Sequence, residues 1–271
     1  MSYLSRENAP ISAELWKQID EAVVAAARRV FTGRRFLPLY GPLGIGVQSV
    51  AVDDADSLDE TSADGIITTS GRKFSELPVL YEDFTLSARE LESTARLGLP
   101  ADLSAAARSA EECAHREDRL IYFGSAAAGS DGLLTAPGIG KMKKGDWKTG
   151  ENAFADLAAG IESLTVKGFY GPYALTLSPD LYMQLQRLQP GTGVLEIDRI
   201  EKLLGGTVFR TPVLGSGKAV LVCPDAANLD LAVGQDLAAA YLEQKDLNHR
   251  FRVLETALPR IKRKGSVVVF E

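Results

Sequence analysis

The segment DDADSLDETSADGI, residues 53–66, decides how this chain is read. It is acidic, made of small residues and almost free of large apolar groups. It cannot bury a core of its own and must project from one. Ile66-Ile67-Thr68-Thr69 and the run from Leu77 to Leu86 have the composition of strands and flank the projection. Residues 47–86 therefore predict a long two-stranded arm. A lone two-stranded element is marginal in water, so such an arm is expected to lie on a neighbouring subunit.

Working outward, residues 12–31 carry the clearest helical pattern. Ser12 is placed to cap it, and Glu14 sits at the positive end of the helix dipole. Leu15, Trp16, Ile19, Val23, Ala26, Ala27, Val30 and Phe31 recur at three- and four-residue steps and form one apolar stripe. Gly33 is expected to end the helix as its C′ residue, and the decapeptide before the helix is expected to be unstructured. Residues 36–52, broken by Gly41-Pro42, Gly44 and Gly46, read as short extended pieces.

A second helix is predicted from Leu103 to Tyr122, capped by Asp102 or Ser104 and stopped at Gly124. Ala106, Ala110, Cys113, Ala114, Glu117, Leu120 and Ile121 share one side of it. There follow a helix from Ala153 to Lys167, a buried strand from Tyr173 to Leu177, a helix from Pro179 to Leu188, a loop at 189–194 and a helix at 195–204. The last third alternates strand-like runs: Val208-Phe209, Ala219 to Val222, Leu229 to Val233, Ala238 to Leu242, Arg250 to Leu258 and Val267 to Phe270. Helices and strands do not alternate as βαβ units, so the class is α+β.

Composition removes several functions. With 271 residues, 45% hydrophobic and 24% charged, the chain can bury a core without staples. Thirty basic residues against 36 acidic ones give a net charge of −6, unlike a nucleic-acid binder. Cys113 and Cys223 form no disulfide framework or zinc ribbon, and His115 and His249 are too few for a multi-histidine metal site. No secretory signal is visible, and no apolar run approaches the roughly 18 residues of a membrane span. A soluble cytoplasmic protein is expected.

The chemical motifs are weak. Glu112-Cys113-Ala114-His115 has the carboxylate–imidazole spacing of a di-iron helix, but such sites need two pairs. Glu117 and Asp118 are adjacent on a helix, point about 100° apart and predict a salt-bridged helix face rather than an acid–base pair. Gly215-Ser216-Gly217-Lys218 lacks the upstream glycine and the following Ser or Thr of a phosphate loop. No catalytic set, metal site or cofactor is assigned.

Several segments, taken together and in order, resemble encapsulin shell proteins. They are LSRENAPISAELWKQID (4–20), GRRFLPLYGPLGIGVQSV (33–50), AHREDRLIYFG (114–124), Gly132-Leu133-Leu134, GFYGPYALTLSPDLY (168–182), LAVGQDLAAAYL (231–242) and FRVLETALPRI (251–261). Residues 33–50 look most like the myxobacterial branch, whose shells enclose ferritin-like iron-oxidising cargo. The resemblance implies the α+β major capsid protein fold of tailed bacteriophages (Hong Kong 97-like). It implies an N-terminal helix and peripheral domain at 1–46, an extended arm at 47–75 and a peripheral domain with spine helix at 76–130. An axial domain at 131–225, a peripheral sheet at 226–257 and a C-terminal strand returning to the axial domain at 258–271 complete the plan.

By the same resemblance the chain is a non-catalytic subunit that closes with itself, in multiples of sixty, into an icosahedral nanocompartment around a cargo enzyme. The cargo's C-terminal peptide docks between the N-terminal helix and the peripheral domain, at positions matching Ile19, Val23, Val30, Phe31 and Arg34, with partners from 231–242. The loop Gln189, Pro190, Gly191, Thr192, Gly193, Val194 lines a five-fold pore. Some family shells stack flavin on a tryptophan whose matching position here is Arg89, so no flavin is expected. Two other readings stay open: a phage or prophage major capsid protein, and a cytoplasmic enzyme such as a peroxidase or protease.

Overall fold

The structure, a computed structural model, describes residues 3–271 apart from 56, 57, 190 and 192. Two five-stranded sheets build the body. In the first, the long strand Asn248–Ile261 pairs antiparallel with Val79–Ser87, Ala238–Lys245 and Leu229–Val233, and Leu39–Tyr40 adds in parallel to Leu229–Val233. Helix α1 (Ala13–Val30) packs on helix α3 (Ser104–Phe123), and α3 packs on this sheet. Alanines 106, 110 and 114 and Cys113 are fully buried on α3, and their small side chains let α1 approach closely. Ser12 caps α1 as expected, its Oγ accepting from the Leu15 amide at 3.1 Å.

The second sheet runs in the order Val208–Arg210, Ala174–Leu177, Ala219–Val222, Val267–Phe270, Gly140–Met142. Its three central strands are buried at every position, which is why they read as unbroken apolar runs. One face meets Leu157 and Leu164 of helix α4 (Asn152–Val166), Leu181 of helix α5 (Pro179–Gln184) and Ile197, Ile200 and Leu204 of helix α6 (Glu196–Leu204). On the other face Val220, Val222, Val267 and Val269 share a core with Ile121 and Tyr122 of α3 and with Leu231 and Ala257 of the first sheet. The two sheets are thus joined through apolar contact.

The arm leaves this body as two short ladders, Ser49–Ala51 with Phe74–Glu76 and Asp59–Ala63 with Ile66–Ser70. Every residue of Asp59–Ala63 is exposed, and Ile66 and Ile67 are 64% and 69% exposed.

Five expectations need correction. Val79–Ser87 belongs to the first sheet and not to the arm, because it pairs with Asn248–Thr256 across the middle of the chain. Gly33 is not a C′ residue with positive φ: Phe31 caps α1 and Gly33 opens a 3₁₀ turn. Its role is close approach, since a Cβ there would lie 2.4 Å from Ile121 Cδ1. The segment before α1 is anchored to the first sheet and to α1: the Tyr241 amide donates to Leu4 O, and Arg6 donates to Ala239 O and pairs with Asp20. Glu117 is salt-bridged, to Arg34, but Asp118, expected on the same salt-bridged face, is buried and accepts the Thr32 and Gly33 amides instead. The helix predicted from Pro179 to Leu188 stops at Gln184.

An unforeseen helix, α2 (Ala88–Leu97), follows the first-sheet strand and buries none of its residues. Ser87 caps it by accepting from the Glu90 amide at 3.3 Å.

Candidate functional site

The apolar stripe of α1 divides into two sets. Ile19, Val23, Ala26 and Ala27 are at most 1% exposed and fill the core against α3, Phe84, Phe251 and Val253. Trp16 meets Phe251 edge-on at 5.6 Å. Ile19 and Val23, expected to contact a docked peptide, therefore present no free surface in this chain.

At the stripe's edge a groove of about 390 Å³ opens between the last turns of α1 and the loop before Ala238. Val24, Ala27, Phe31 and Leu237 form its apolar lining, and Arg28, Arg34, Arg35 and Asp236 its polar one. Of the expected docking residues, Phe31 and Arg34 stand in this groove. Val30 turns away into a separate cleft with Arg29, His115, Met183 and Arg210. Val24 and Leu237 were missed: Val24 lies one residue off the stripe's centre, and Leu237 comes from a loop with no periodicity to read.

Arg34 is held on all sides. Its Nε donates to Glu117 Oε2 at 2.6 Å, Nη1 to Asp236 Oδ1 at 2.6 Å and Nη2 to Glu255 Oε2 at 2.5 Å. Its guanidinium carbon lies 4.6 Å from the centre of the Phe31 ring. Burial alone would lower the Arg34 pKa, but the attraction of Glu117, Glu255 and Asp236 outweighs it and raises the value. Burial likewise drives the Glu117 and Glu255 carboxyls up, Glu255 to about 7, against the pull of Arg34. The backbone here is fixed by Asp118, whose carboxylate accepts from the Thr32 amide at 3.0 Å and the Gly33 amide at 2.8 Å. Arg35 Nη2 donates to the Arg28 and Arg29 carbonyls, satisfying acceptors that the end of α1 leaves open.

The expected pore loop is a tight connection between α5 and α6. Leu188 and Leu195 form a bridge, and the Gln189 amide donates to Val194 O at 2.9 Å. Gly191 and Gly193 take φ values of +79° and +67°, which glycine alone adopts without strain. Pro190 and Thr192 lie outside the described residues.

This geometry is a groove with an apolar floor and one clamped cation. Comparison with known proteins shows the family and the fold. The family profile described as "Encapsulating protein for peroxidase" (Linocin_M18) matches residues 1–258. The type 1 encapsulin shell protein EncA of Myxococcus xanthus is 39% identical over 99% of this chain and 96% of its own length. Among solved structures, the virus-like particle from Pyrococcus furiosus superposes with a TM-score of 0.78 at 23% identity, covering 96% of this chain and all of that one. The capsid of Myoviridae phage XM1 superposes at a TM-score of 0.61 and 15% identity, covering 88% of this chain and 90% of that one. The fold is that of tailed-phage major capsid proteins, and the chain belongs to the encapsulin shell protein family.

Proposed function

We propose that this chain is one tile of a closed icosahedral nanocompartment and that it holds a cargo enzyme, ferritin-like in kind, by a short peptide seated in the Val24–Phe31–Leu237 groove. The shell role follows from the family. The domain plan is the one the family implies: a peripheral domain around the first sheet, the arm at 47–75, and an axial domain around the second sheet. The role is structural, with no reaction assigned to the tile.

The observation that carries the assembly reading is the arm. Its outer ladder offers Ile66 and Ile67 to solvent, and among the described residues its two strands pair only with each other. Edges of this kind are hazards unless another chain covers them, and closed symmetry covers all of them at once. The test deletes residues 59–70, both strands and their turn, so that no unpaired half-ladder remains. Wild-type protein is expected as closed particles in electron microscopy, and the deletion as open fragments or small oligomers. Closed particles from the deletion variant would refute the role given to the arm.

The uncharged loop 189–194 is proposed to ring the five-fold axis. Introducing lysine by Thr192→Lys is expected to slow entry of a small cation into intact particles at low salt, because a ring of like charges focuses its field in a narrow opening. Equal stopped-flow entry rates would remove the loop from the pore.

A further inference from the structure

Behind the groove, Glu117 of α3 and Glu255 of the long strand flank the guanidinium of Arg34. Both carboxyl groups are fully buried, and each gives its Oε2 to Arg34. The Oε1 atom of each is left without a partner in the structure. Two ionised carboxylates have nothing to donate to each other. A single proton between them converts one into a donor, and both side chains are gathered on one guanidinium, at its Nε and Nη2. The third carboxylate on Arg34 differs. Asp236 is 65% exposed, and its loop carries Leu237, a wall of the groove.

We propose that the groove is gated by a proton: Glu117 and Glu255 share one, and its loss draws Arg34 inward, releasing Asp236 and the rim at Gln235–Leu237. The latch stands on its own geometry; that it regulates cargo rests on the docking reading above.

The charge balance explains the direction. With the proton in place, Arg34 faces one shared charge from the buried pair and one from Asp236. Without it, three negative charges compete for a single cation. The buried pair has no access to water, and unpaired buried charge is costly. Asp236 has water at hand and is the one to leave. Burial raises both buried carboxyls, Glu255 to about 7 and Glu117 well above its ordinary value, so the last proton on the pair leaves on the alkaline side of neutrality. Among the described residues Arg34 is the cation paired with the two buried carboxyls, while Arg28 and Arg35 line the groove with Asp236. On α3, Asp118 is occupied by the Thr32 and Gly33 amides, and Arg116 is paired with Glu82 of the adjoining strand. The Cys113 thiol, raised by burial and by Glu255, stays neutral.

Hydrogen–deuterium exchange on assembled, empty particles tests the latch without any cargo, so its failure is separable from failure of the docking reading. Gln235 and Leu237 report directly, since their amides donate to Thr256 Oγ1 at 2.6 Å and Asp236 Oδ1 at 2.8 Å. After correction for intrinsic rates, their protection is expected to fall about tenfold as the pH rises from about 7 into the alkaline range, the effect of one pKa unit of linkage. Glu255→Gln supplies a neutral donor at every pH and should abolish the step, with the rim protected throughout; Glu117→Gln should do the same. The proposal is overturned if wild-type particles show no step, or if the step persists at full size in either variant that assembles.

Discussion

Removing Arg34 should cost little in acid and much in base. Arg34→Ala deletes three ion pairs of 2.5–2.6 Å and strands Glu117 and Glu255, both 0% exposed, without a counter-charge. Breaking a buried pair by removing one partner costs about 3–5 kcal/mol when the remaining charge cannot be neutralised. Here it can be neutralised, by protonation. The Glu255 carboxyl has its folded-state pKa raised from 4.5 to about 7. A raised carboxyl pKa means that the folded protein holds a proton the unfolded chain has released. Its stabilisation is fully present below the unfolded value and is lost as pH rises through the folded one. Over the wild-type window that amounts to roughly 3 kcal/mol, at 1.36 kcal/mol per unit. Without Arg34 both carboxyls rise further, so the loss extends to higher pH. The thermal midpoint of Arg34→Ala particles should therefore lie close to wild type near about pH 5 and fall well below it near about pH 8. Equal depression at both pH values would show that Arg34 acts by packing alone and would refute the carboxylate account. The same reasoning makes Arg34→Ala a poor probe of cargo loading, because it disturbs the fold first.

Two further outcomes are expected. Val24→Asp, at the 37% exposed groove wall, should leave particles intact and lower co-purified cargo, whereas Val23→Ala, 1% exposed, should cost about 2 kcal/mol of stability through lost burial and cavity formation; unchanged loading in Val24→Asp would move docking elsewhere. Gly33→Ala should destabilise by about 1–3 kcal/mol by overpacking against Ile121, and Ile121→Val, which removes the clashing Cδ1, should restore part of it in a thermal melt; no rescue would place the strain elsewhere.

The features legible in the sequence were those written in local pattern. The stripe of α1, the small-residue face of α3 and the unbroken apolar runs of the second sheet all emerge where expected. So does the outer arm, because Asp59–Ala63 has nothing to bury. What failed was non-local. Val79–Ser87 looks like a strand, but nothing in it names Asn248–Thr256 as its partner. Helix α2 has no buried residue and hence no stripe, leaving only the Ser87–Glu90 cap as a signal. Glu117 falls by spacing on the small-residue side of α3, but nothing local names Arg34, 83 positions away, as its partner. The groove suffered from the opposite error. A strong apolar stripe marks core, so Ile19 and Val23 at its centre are sealed, and the accessible positions lie at its margin.

The path of the last strands has a consequence for synthesis. Asn248–Ile261 is the common partner of three strands in the first sheet, and Val267–Phe270 fills a gap between two strands of the second. Until residue 270 has emerged from the ribosome, the second sheet lacks an interior strand, and the first is complete only shortly before. Domains fold as units when their last element arrives. A nascent tile therefore cannot join a growing shell while most of it is already made. Incorporation of a tile thus waits on synthesis of nearly all the strands that complete its two sheets.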